Sequence, residues 1–105
     1  MPVFTKITED AVIFWMPEEM DQKSARRYLN SIRNTVTKNA SGTSLLTLDF
    51  ADVELVDNNV VGFVISCGRL IKSLGGKLKL ASLSSNHKMV FRLAGLDISH
   101  YVAED

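Results

Sequence analysis

Two stretches in the middle of the chain constrain its fold most. Leu45-Leu46-Thr47-Leu48-Asp49-Phe50 is short and largely apolar, and after an acidic link it is followed by a helix-length apolar stretch, Val60 to Leu74. The first is too short for a helix and reads as a buried strand within Ser44 to Phe50. In the second, Val60, Val64, Cys67, Ile71 and Leu74 recur at three- and four-residue spacing, and Val61, Phe63, Ile65 and Leu70 widen the stripe. A helix apolar over so wide an arc has to be substantially buried. Between the two stands Asp57-Asn58-Asn59. These residue types open helices, because their side-chain oxygens accept hydrogen bonds from the free N–H groups of the first turn. A helix mouth beyond the end of a sheet strand also attracts anions and binding partners.

The flanking segments extend this unit into a layered α/β domain. Val3 to Ile7 alternates, and after Glu9-Asp10 the run Ala11 to Met16 is continuously apolar until Pro17. The short gap predicts an antiparallel edge hairpin, and the apolar run predicts a strand covered on both faces. Asp21 is placed to cap a helix from Gln22 to Lys38, whose Ala25, Tyr28, Leu29, Ile32 and Val36 form one face. The bases Lys23, Arg26, Arg27 and Arg33 lie largely elsewhere and read as a solvated face. Asn39-Ala40-Ser41-Gly42 ends that helix, and the strand after it is expected to run parallel to the second. Gly75-Gly76 stops the long apolar helix, and Lys77 to Ala81 alternates as a fourth strand. A short helix is expected over His87 to Ala94, with Gly95 beyond its end and His87 as a first-turn surface residue. Ile98 and Tyr101 dock the tail as an edge strand or a last turn. The order is β-β-α-β-α-β-α, which predicts one domain over residues 1–105. Its expected core is a mixed four- to five-stranded sheet with an antiparallel edge hairpin, packed by helices.

Composition excludes several functions. A chain of 105 residues suits one domain. Twelve basic and twelve acidic residues cancel, which argues against a nucleic-acid partner. A single cysteine, Cys67, leaves no intrachain disulfide and no cysteine-based zinc site. No apolar run is long enough to span a membrane, and the N-terminus does not read as a signal peptide, so a cytoplasmic protein is expected.

The acidic residues cluster. Glu18, Glu19 and Asp21 follow the second strand, and Asp49, Asp52, Glu54 and Asp57 lie at or after the end of the third. In a parallel sheet those ends share one rim. A magnesium site or a phosphoacceptor aspartate would use such a rim. Helix capping and solvated loop charge account for it more simply, and a basic partner surface is the better functional fit. Cys67 sits mid-helix on the apolar stripe as a core residue, and the spacing of His87 and His100 suggests neither a triad nor a metal site. No cofactor is called for. Phe14 and Trp15 are expected to pack in the core.

The chain resembles the STAS domain, the fold of anti-sigma factor antagonists, from about Val3 to Tyr101. The likeness is strongest over Leu45 to Gly62, where the family reads as a strand with aspartate near its end, a short link, and Asp-Ser-Ser-Gly-Leu opening a helix. Leu74-Gly75-Gly76-Lys77-Leu78-Lys79-Leu80 and Leu93-Ala94-Gly95-Leu96 are similar to its next helix–strand junction and its final Gly-Leu.

The resemblance implies a non-catalytic partner switch. In the family the second serine of the motif is phosphorylated by a kinase that is also an anti-sigma factor, and the unphosphorylated form binds that kinase. Here Asn58 and Asn59 replace the serine pair and Val60 replaces the glycine, while Asp57 is retained. Asn59 stands at the phosphosite without a hydroxyl. It is neutral, like the unphosphorylated serine, and is expected to help cap the helix. Val60 is expected to add bulk at the helix mouth. The expected partner surface comprises Glu19, Asp21, Asp57, Asn58, Asn59, Val60 and Val61, facing an anti-sigma factor, serine kinase or related regulator. The alternative is a structural STAS subunit of a larger assembly, either a stressosome-like homo-oligomer or the cytoplasmic partner of a phospholipid-transporting ABC system.

Overall fold

A computed structural model of the chain describes residues 5–7, 10–38, 42–98 and 101–104. Val3 and Phe4 of the first expected strand, and Asn39-Ala40-Ser41 of the expected helix stop, lie outside the described residues. The elements are β1 (Thr5–Ile7), β2 (Ala11–Trp15), α1 (Gln22–Lys38), β3 (Leu45–Asp49), α2 (Asn58–Ser73), β4 (Lys77–Ala81), α3 (Ser85–Leu93) and β5 (Val102–Glu104). The strands stand side by side in sequence order, with β1 antiparallel to β2 and every later pair parallel.

This order makes the winding one-way. Each helix carries the chain from one parallel strand to the next in the same direction. Such crossovers are almost always right-handed, so successive helices of a one-way winding fall on one face of the sheet. The side chains agree. Val12, Leu46 and Leu78 lie in register across three strands, as do Phe14, Leu48 and Leu80, and all six are buried. Above them the Phe14 ring meets Tyr28 of α1 at 5.5 Å between centroids and Phe63 of α2 at 5.8 Å. On the opposite face Thr47 is buried, Ala11, Ile13, Leu45, Lys79 and Ala81 are only partly covered, and Trp15 is 37% exposed. The expectation that β2 is covered on both faces, with Trp15 in the core, is therefore corrected. A continuous apolar run does not reveal that all the helices sit on one side.

The helix ends follow from local chemistry. Gly75 takes φ +82°, its N–H donates to Lys72 O at 3.0 Å, and the Gly76 N–H donates to Ile71 O at 2.8 Å. The same pair of bonds closes α3, from Gly95 (φ +80°) to Arg92 O and from Leu96 to Phe91 O, each at 3.0 Å. This left-handed stop satisfies carbonyls that would otherwise be orphaned, and glycine adopts it without steric cost. The tail forms the edge strand β5 at Val102–Glu104, parallel to β4, with Ile98 and Tyr101 packed against the core ahead of it.

Candidate functional site

The helix mouth is built by Asp57. Its backbone is extended (φ −109°, ψ −174°), and its Oδ1 accepts the Val60 N–H at 3.0 Å. The Val61 N–H donates to Asp57 O at 3.0 Å, which begins the helical ladder. Asp57 is thus the N-cap, a position worth about 1 kcal/mol. Helix α2 starts at Asn58, two residues before the apolar stripe. The capping role expected of Asn59 is corrected, because Asn59 already lies inside the first turn.

The loop leading to Asp57 is tied at several points. Asp49 Oδ1 accepts the Ala51 N–H at 2.9 Å, the Val53 N–H donates to Phe50 O at 3.0 Å, and the Val53 and Val56 side chains are buried. A further tie was not legible in the sequence. His87 is 5% exposed rather than a surface residue. Its Nδ1 accepts the Ser84 N–H at 3.1 Å, while Ser84 Oγ accepts the His87 N–H at 3.0 Å, a reciprocal capping box for α3. Its Nε2 lies 2.7 Å from Val53 O. The Nδ1 acceptor role fixes the proton on Nε2, which donates to that carbonyl. Serine three residues before a histidine was the available signal. The long-range bond to Val53 left none.

The structure divides the expected partner surface into three places. Glu18, Glu19, Asp21, Glu54 and Asp57 line an open cleft of about 460 Å³ with Met20, Ser24 and Leu55. Among the described residues five carboxylates and no cation line it, so it presents a negative rim, with Leu55 as an apolar edge at 70% exposure. Asp21 caps α1: its Oδ1 accepts the Ser24 N–H at 2.7 Å, and its own N–H donates to Ser24 Oγ at 3.0 Å. The Ser24 backbone N–H first, and the Ser24 side chain second, hold the Asp21 carboxyl below its ordinary value.

Asn58 and Asn59 line a separate groove of about 300 Å³ between α1 and α2. Gln22, Ala25, Arg26 and Leu29 form its other wall, and Gly62, Phe63 and Ser66 continue it along α2. The i, i+3 and i+7 spacing from Asn59 to Gly62 and Ser66 could have placed those two residues beside it. Val60 goes to the third place. It is 3% exposed and turned into the core, which corrects the expectation of bulk at the helix mouth. Val61 is half-buried against the same core.

Among the described residues no three His, Cys, Asp or Glu side chains come together as a metal-holding set. Cys67 is fully buried, and that burial pushes its thiol pKa up, away from the reactive thiolate. Among the described residues no helix is long and apolar enough to cross a membrane.

Comparison with known proteins gives this geometry a family. The anti-sigma factor antagonist SpoIIAA in its unphosphorylated form superposes with a TM-score of 0.80 at 18% identity, over 99% of this chain and 88% of that one. RsbS of Moorella thermoacetica gives 0.85 at 21% identity, over 98% and 86%. A chain of the stressosome, a signal integration and transduction hub, gives 0.82 at 20% identity, over 95% and 85%. At these identities the likenesses establish the fold. The STAS domain profile matches residues 3–102, nearly the whole chain. This chain therefore belongs to the STAS domain family.

Proposed function

We propose that the protein is a non-catalytic, cytoplasmic binding module of the partner-switching kind. It binds an anti-sigma factor, a serine kinase or a related regulator through the α2 mouth and the adjoining acidic cleft. Asn59 carries this reading. It occupies the first turn of α2, lines the groove with α1, and offers a neutral carboxamide where the family's motif has the phosphorylated serine. Without a hydroxyl it accepts no phosphoryl group, so the module stays in the binding-competent form. Control then lies in expression or in the partner. Asp57, Asn58 and Asn59 form the centre of the proposed surface, Glu19 and Asp21 its acidic border, and Val61 its apolar floor. Val60 supports it from the core.

The test is capture from native lysate with wild type and with Asn59→Asp, a nearly isosteric change that adds one charge. A regulator held by wild type and released by the variant is the expected result. A regulator held by both would move the interface off the α2 mouth. The absence of a hydroxyl at positions 58 and 59 also suits a structural subunit with no switch at all. Isolation of the chain in a large homo-oligomer or with a membrane ATPase would favour that second reading.

A further inference from the structure

We propose that His87 is a positioning residue for the α2 mouth. Through it, α3 holds the loop of residues 51–57 in the conformation that sets Asp57 as N-cap. The proposal deepens the binding reading above and rests on it, but its test needs no partner.

The geometry is specific. After the turn closed by the Val53 N–H on Phe50 O, the chain has four residues to reach Asp57. The Val53 carbonyl accepts from His87 Nε2 at 2.7 Å. A buried carbonyl needs a partner, and here the partner comes from a helix 34 positions further along the chain. The ring also lies 5.7 Å from Phe50, which itself meets Phe91 of α3 edge-on at 5.7 Å. His87 is therefore held by its own helix through Ser84 and by the core through Phe50, and it reaches the loop with its remaining nitrogen. Neither bond alone requires histidine. A side chain that accepts at one ring nitrogen and donates at the other, the two flanking a single carbon of a flat ring, makes both.

Two variants separate the two bonds. In His87→Asn the side-chain oxygen stands near the Nδ1 position and keeps the cap on Ser84, but the reach to Val53 is lost. In His87→Gln the terminal amide stands near the Nε2 position and keeps the Val53 bond, but the cap is lost. Amide hydrogen exchange of the isolated full chain reads the outcome. The probes are Val53, Val60 and Val61 for the loop and mouth, Lys88 for α3, and Leu48 as a core reference. Exchange at Val53 and Val60 should rise about tenfold in His87→Asn and stay near wild type in His87→Gln, because local opening tracks the bond that is lost. Lys88 should respond in the opposite order. Unchanged exchange at Val53 and Val60 in His87→Asn would overturn the proposal. So would an equal rise at every probe, Leu48 included, in both variants, because His87 would then be a packed core residue with no special hold on the mouth. A failed lysate capture leaves these outcomes untouched, so the two readings fall separately.

Discussion

Asn59 leaves the first turn of α2 without an acidic residue, although that turn carries the positive end of the helix dipole. Adding a carboxylate there should favour the fold. Asn59→Asp is expected to leave the melting temperature unchanged or raise it, by up to about 1 kcal/mol of stability. Thermal denaturation beside the capture experiment then separates lost binding from lost structure. Asp21 behaves in the opposite sense toward acid. Its folded carboxyl titrates below the unfolded value of 3.8, so the stability it contributes is present above that value. That contribution is lost as pH falls further, through the folded value. Protection of the Ser24 amide should decay over that acid range, and Asp21→Asn should flatten the dependence. Asp21 as a cap was legible, because capping is a local matter of residue type and position. His87 was not. Its burial and its bond to Val53 depend on two segments that only the closed fold brings together. Val60 was legible in part: its place on the apolar stripe implied burial, and the family motif's helix mouth implied exposed bulk, and the structure follows the stripe.

At the scale of elements, the sequence pattern fixed types well and ends less well. Helix α1 spans Gln22–Lys38 and β4 spans Lys77–Ala81, as the periodicity implied. Helices α2 and α3 each begin two residues before the expected start, because a helix begins after its cap and not at its first apolar residue. The junction after α2 shows how tightly two elements can meet. A Cβ on Gly76 would stand 2.8 Å from the Thr43 carbonyl oxygen and 2.8 Å from Ile71 Cγ1. The carbonyl belongs to the backbone entering β3 and has little freedom to retreat. Gly76→Ala is therefore expected to destabilise the chain by about 1–3 kcal/mol in urea unfolding, through overpacking. Gly75→Ala, with open space around its Cβ, is strained only by its positive φ and should cost about 1–2 kcal/mol. The doublet looks uniform in the sequence, but its two members are required for different reasons.

For the whole molecule, charge balance hides an uneven distribution. The formal net charge is zero, yet five carboxylates line one cleft. If the cleft borders the proposed interface, association with a basic partner should slow as salt rises, while dissociation changes little. Stopped-flow or surface-binding kinetics across ionic strength would show it. The α/β class and single domain were legible from the order of elements. That the helices leave the other face of the sheet only partly covered was not, because it depends on the order of strands in space. That order also governs how stability is shared. The substantial contacts between elements run between near neighbours along the winding, from β1 with β2 through α1 with α2 to β4 with β5. One cluster of buried side chains nonetheless runs from Val12 to Phe91, so the elements from β2 to α3 are expected to unfold together. The edge strands β1 and β5 pair on one side only, and local opening costs least there. A partner that gripped only an edge strand would hold the part of the molecule that comes loose first.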